Sequence, residues 1–286
     1  MSTTTLDETP AVPQYRPPQH RLTFGGMLRS EWIKFWSVRS VLWTMIGAVV
    51  CTVGIGALIS WGISTGLNDA GAREEMADGT GGQLDLTLLA LSGAQFASLV
   101  VAAIGAIVIA GEISTGMVRT TFTAAPRRLA AFAAKALVLT GIVLVVMALA
   151  DLAAFFIGQA IFSTTDITTP GIGDEGVLRA VLGTAVMQTG IALAGLGLGA
   201  LLRNSAGTIV TMAALVLVVP GLLQLVPESW NGDTIREYYF VNTATSLTTV
   251  AEIPNMLSVW VGAAWFAAWV AAFLVAGALR LKRRDV

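Results

Sequence analysis

The chain alternates between long apolar runs and short polar connections. Six runs carry almost no charge: Val41–Gly62, Leu88–Ala110, Ala136–Ile157, Val177–Ala200, Gly207–Val226 and Leu257–Leu279. A helix needs about 20 apolar residues to cross a hydrocarbon core of about 30 Å. Backbone polar groups at that depth must be satisfied within the segment, so each run is predicted to be a helix. The alternating short segments of a membrane barrel do not occur in the sequence. The expectation is an all-α membrane protein with six transmembrane helices over residues 41–279.

Small residues recur within two of the runs. In the second, Ala90, Ala94, Ser98, Ala102, Ala106 and Ala110 repeat every four residues, a stripe that lets a neighbouring helix approach closely. The fourth holds Gly190, Gly195, Gly197 and Gly199, including one Gly-x-x-x-Gly. An alanine-rich composition produces such stripes by chance as well, so packing and coincidence both stand. Trp43, Trp61 and Trp260 fall near predicted span ends, where indoles sit at the headgroup level.

Charge orients the spans. Of the 286 residues 55% are hydrophobic and only 12% charged, where a soluble domain carries about 25%. If the amino terminus lies inside, the inner segments hold fourteen basic residues: Arg16, Arg21, Arg29, Lys34, Arg39, Arg119, Arg127, Arg128, Lys135, Arg203, Arg280, Lys282, Arg283 and Arg284. The outer segments hold three, Arg73, Arg179 and Arg236. Basic residues accumulate in cytoplasmic loops. The predicted protein is therefore multi-pass in the plasma membrane with both termini cytoplasmic. Residues 1–21, with four prolines and no apolar core behind a basic start, read as a disordered tail and not a signal peptide. Residues 280–286 read as a basic tail.

Several chemistries are excluded. One cysteine, Cys51, forbids a disulfide within the chain, and one histidine, His20, cannot assemble a zinc site or a histidine-activated nucleophile. No His-Glu-x-x-His occurs. A P-loop needs Gly-x-x-x-x-Gly-Lys-[Ser/Thr], and none of Lys34, Lys135 and Lys282 has that context. No catalytic residue, cofactor site or metal site is expected in this chain, and no nucleic acid partner.

Two connecting segments carry more than topology. In residues 22–40, Phe24, Met27, Leu28, Trp32, Phe35 and Trp36 gather on one side of a helix, with Ser30, Lys34 and Ser37 opposite. That pattern predicts a helix lying in the membrane interface. It serves as an anchor or, with Glu31 and Lys34, as a docking surface for a cytoplasmic partner. After the second span, Glu112, Gly116, Arg119, Pro126, Arg127 and Arg128 predict a short helix along the inner face that ends at the proline. A basic loop that only fixes topology is the alternative.

These residues resemble the type-2 ABC exporter permeases. The match lies in Glu-x-x-x-Gly at Glu112 and Gly116, in Arg119-Thr120-Thr121, and in Pro126-Arg127-Arg128. Leu28-Arg29-Ser30-Glu31-Trp32-Ile33-Lys34 and Tyr239-Phe240-Val241-Asn242-Thr243-Ala244 are similar to the family's opening helix and external segment. Where the family often has proline-serine, this chain has Phe240-Val241. The resemblance implies a coupling helix at about 112–128, in which Glu112, Gly116, Arg119, Arg127 and Arg128 couple the chain to a separate ABC ATP-binding subunit. It also implies a second permease half, an identical copy or a relative, short external helices between spans five and six, and ATP and magnesium held by the partner.

A rival reading uses polar groups inside the spans. Asp151 lies in the third, where an acid costs about 2.5–3.5 kcal/mol on the insertion scale, and Gln95 and Gln188 lie in the second and fourth. An ion-coupled carrier or channel would use them as a relay. Alternatively Asp151 is wetted or paired, with Arg179 as the expected partner.

Overall fold

The computed structural model describes residues 23–67, 85–114, 128–165, 167–250 and 256–283. Six of its helices are long and apolar enough to cross a membrane, and no strand occurs among the described residues. The chain is thus a multi-pass helical membrane protein by length and composition.

Helix α1 (Phe24–Ser37) opens with Thr23, whose hydroxyl accepts the Gly26 N–H at 3.2 Å. Then come α2 (Arg39–Leu67), α3 (Leu86–Ala90) and α4 (Gly93–Ser114). They are followed by α5 (Arg128–Phe162), α6 (Val177–Leu202), α7 (Ser205–Leu223), α8 (Gly232–Glu237), α9 (Asn242–Thr248) and α10 (Val259–Arg283). The six spans are α2, α4, α5, α6, α7 and α10. Helices α6 and α7 are joined by two residues. Arg203 takes a left-handed conformation (φ 59°) that ends α6, and the Asn204 side chain caps α7 by accepting from Gly207 N–H at 3.0 Å.

Helix α6 is the centre of the bundle, with 78% of its apolar window buried, against 17% for α7 and for α10. The small residues explain why. Every member of the stripe Ala90, Ala94, Ser98, Ala102, Ala106 and Ala110 is buried. A Cβ on Gly105 would lie 1.9 Å from the Ala192 carbonyl oxygen, and one on Gly195 would lie 2.5 Å from that of Ala102. Helices α4 and α6 therefore meet backbone to backbone. Lipid supplies no hydrophobic drive between helices, so this contact rests on close packing. On its other side α6 meets α10 through Gly197 and Gly277, where a Cβ on Gly277 would stand 2.5 Å from the Gly197 carbonyl oxygen.

Two spans contain wide turns that hydropathy does not reveal. Cys51–Ile55 in α2 and Ala214–Val218 in α7 are single π-helical turns. In α7 the cause lies just downstream: Pro220 has no N–H for the carbonyl four residues back, and the wide turn absorbs the loss. In α2 the turn receives the start of α4, for a Cβ on Gly93 would stand 2.2 Å from the Thr52 carbonyl oxygen. The third span is also longer than its predicted 136–157, running 35 residues from Arg128. Lys135, which bounds the apolar run in sequence, does not end the helix because its charge is neutralised by partners described next.

Between α7 and α10 a 3₁₀ turn (Glu228–Trp230), α8 and α9 fold against the bundle end. Arg179 at the start of α6 ties this segment down, donating to the carbonyls of Ser246 (2.8 Å) and Thr249 (3.0 Å).

Candidate functional site

Where α1, α4 and α5 converge, four charged side chains form one buried network. Glu31 comes from α1, Glu112 from the end of α4, and Lys135 from the second turn of α5. Lys34, one turn after Glu31, completes it. Lys135 Nζ donates to Glu31 Oε2 at 2.6 Å and to Glu112 Oε1 at 2.9 Å. Lys34 Nζ donates to Glu31 Oε1 at 2.9 Å and to Glu112 Oε1 at 2.8 Å. The side chains of Glu31 and Lys135 are each 7% exposed, Glu112 11% and Lys34 28%. Two acids and two ammonium groups cancel, which allows Glu31 and Lys135 to be almost wholly buried while Lys34 stays partly exposed.

Local sequence sets this geometry. Glu31 and Phe35, four residues apart, share one helical face, and both are buried. Trp32, Ile33 and Trp36 instead point away from the bundle, about half exposed. The helix presents its Glu31–Phe35 edge to α5 because the acid must meet Lys135. The aromatic face predicted to lie flat in the interface is thereby split, with Phe35 inward and the two tryptophans outward. Next to the network lies a cavity of about 260 Å³ floored by Phe35, Val41, Ile107, Val108 and Leu139.

The network fixes protonation on both sides. Burial raises the cost of charge on Glu31, but the Lys135 charge and hydrogen bond, with Lys34 behind them, outweigh it and hold the carboxyl below its ordinary 4.5. Burial likewise opposes charge on Lys34, and the hydrogen bonds to Glu112 and Glu31 outweigh it, raising the ammonium above 10.5. Glu31 and Lys135 in particular need charged partners to be buried. Such clusters add little net stability compared with apolar packing, but breaking one by removing a partner is strongly destabilising.

The other predicted residues distribute as follows. Gly116, Arg119 and Arg127, with the rest of 115–127, lie outside the described residues. Arg128 begins α5 and its guanidinium reaches the Leu281 carbonyl of α10 at 3.5 Å. Glu31 and Lys34 are joined to Glu112 in the network, so three of the sequence-selected residues meet. Lys135, the fourth member, stands in sequence as one of the basic residues of the inner segments and not as a site residue. The signal was present: a lysine preceded by Leu129-Ala-Ala-Phe-Ala-Ala and followed by an apolar span needs a counterion.

Asp151 and Gln188 are fully buried in α5 and α6, and neither has a hydrogen-bond partner among the described residues. The expected Asp151–Arg179 pair does not form, because the Arg179 guanidinium is engaged by the carbonyls of Ser246 and Thr249. Gln95 lies apart from both, exposed at the start of α4 on the wall of a second cavity at the opposite end of the bundle.

No cluster of metal-ligating side chains occurs among the described residues. Compared with known proteins, the chain matches no family model and no curated sequence.

Proposed function

We propose that this chain is the membrane-spanning permease subunit of an ABC exporter, driven by a separate ATP-binding subunit that docks on residues 112–128. The observation that supports it is the charge network. Glu112 opens that segment and Lys135 follows it in sequence, and both are ion-paired to α1. A force on the segment is thus shared among α1, α4 and α5, the arrangement a coupling element requires if a partner's nucleotide cycle is to shift the spans between two states. In this reading the basic end, with both termini, faces the cytoplasm. The partner holds ATP and magnesium, and a second copy of the chain completes the pathway. The test is reconstitution of the purified chain with its candidate ATPase. Transport that needs ATP and the ATPase upholds the reading; full transport by the chain alone contradicts it.

One observation favours a second reading, an ion-coupled carrier. Both oxygens of buried Asp151 lack partners among the described residues, as befits a group that takes up and releases a cation. The same reconstitution separates the two, since a carrier would work under an ion gradient without ATP.

A further inference from the structure

At the bundle end away from the charge network, residues of α3, α4, α6, α8 and α9, with Gln224, Met256 and Leu257, line a cavity of about 610 Å³. That volume lies within the about 300–1,000 Å³ of small-molecule sites. Its lining is two-sided. Leu88, Leu91, Ala94, Met187, Met256 and Leu257 form an apolar wall, with the methionines able to follow the shape of a flexible chain. Gln95, Gln224, Glu237 and Asn242 contribute the polar side.

The polar side is rich in acceptors. Of its three charged groups, Asp233 and Arg236 are paired to each other. Glu237 is partly buried, and with Asp233 and Arg236 paired to each other it leaves the described lining with one net negative charge. Asn242 gives its amide N–H to the Arg236 carbonyl at 2.8 Å, which leaves its carbonyl oxygen for a ligand. The amides of Gln95 and Gln224 are likewise unengaged among the described residues and can turn their oxygens inward. An anion would meet the net negative charge of this lining, whereas a cation would be drawn to it.

We infer that this cavity binds a protonated alkylamine, with the ammonium group against Glu237 and Asn242 and the alkyl chain along the Leu88–Leu91–Met187 wall. The ligand class follows from the pairing of one apolar wall with a polar side that carries one net negative charge. A cavity at the end of a bundle of spans is also where an amphiphile partitions, its chain in the acyl region and its head among the headgroups. This inference does not depend on the energy source proposed above, because binding needs neither ATP nor a gradient.

The experiment measures equilibrium binding of radiolabelled dodecylamine to the full chain in nanodiscs of zwitterionic lipid, at neutral pH. Dodecanol and dodecanoate serve as competitors with the same tail. Saturable binding is expected, displaced by unlabelled amine at least tenfold better than by either competitor. Glu237→Gln should weaken it at least tenfold, and Leu88→Trp, which fills the apolar wall from an exposed position, should weaken it at least tenfold as well. If Glu237→Gln does not yield a monodisperse protein, Gln95→Leu replaces it, with a weakening of at least threefold expected. Equal competition by dodecanol, unchanged binding in the polar-side variant, or uptake no greater than in empty nanodiscs would overturn the inference.

Discussion

Lys135 and Glu31, separated by 104 positions in sequence, meet at 2.6 Å with both side chains almost wholly buried. The contact joins a helix outside the spans to the third span. Removing one partner strands the others, because a buried charge without its counterion costs about 3–5 kcal/mol. Lys135→Met should therefore lower the thermal midpoint of the detergent-solubilised protein markedly. The double variant Glu31→Gln/Lys135→Met should recover part of that loss. A double-mutant cycle by fluorescence-detected gel filtration checks both, and simple additivity would count against a direct coupling.

The network also dictates a pH window. Glu31 is held below 4.5, so its stabilising contribution is present above that value and is lost as pH falls through the lowered folded value. Lys34 is held above 10.5, so its contribution is present below that value and is lost as pH rises through the raised folded value. Between these limits the attachment of α1 should be insensitive to pH. Hydrogen exchange across residues 24–37 should be flat from about pH 5 to pH 9 once corrected for intrinsic rates, with release of α1 in strong acid.

Close packing of α4 on α6 predicts a sharp contrast between glycines. A Cβ at Gly105 would overlap the Ala192 carbonyl oxygen at 1.9 Å, whereas one at Gly141 meets nothing within 4 Å. Gly105→Ala should forfeit folded protein or lose several kcal/mol, as overpacking against rigid backbone does not relax cheaply. Gly141→Ala should be neutral or stabilising by up to about 1 kcal/mol. Yield and thermal midpoint, measured side by side, decide it.

Tyr239 latches the segment before α10 onto the fifth span. Its hydroxyl donates at 2.6 Å to the Leu215 carbonyl within the wide turn of α7, and burial pushes it up to about 12, so it remains a donor at any physiological pH. Tyr239→Phe should cost about 0.5–1.5 kcal/mol and speed amide exchange in residues 214–218. An unchanged exchange rate there would show that the proline alone maintains the turn.

Six apolar runs were legible because such runs have no other stable home, but Leu88–Ala110 is broken at Leu91-Ser92, so the second span starts only at Gly93 and its first residues form the separate helix α3. The small-residue stripe of the second span was legible too, since its members are buried and Ala102 and Ala106 stand against Gly195 and Gly199 of α6. The wide turns were not, for they arise from a partner's approach at Gly93 and from a lost hydrogen bond at Pro220, neither of which changes hydropathy. Glu31, Lys34 and Glu112 could be singled out one by one. Their meeting could not, because it depends on Lys135, which the count of basic residues had absorbed as one topological charge among fourteen.

The central proposal is that residues 112–128 form the contact with a partner ATPase beneath the membrane. Its most direct measurement is cysteine cross-linking in cells, with Gly116→Cys placed in a Cys51→Ser background and the candidate ATPase co-expressed. The account predicts protection of position 116 from membrane-impermeant maleimide in intact cells, and a cross-linked product containing the ATPase. Labelling of position 116 from outside, or cross-linking no greater than at a control position in the first loop, would contradict it.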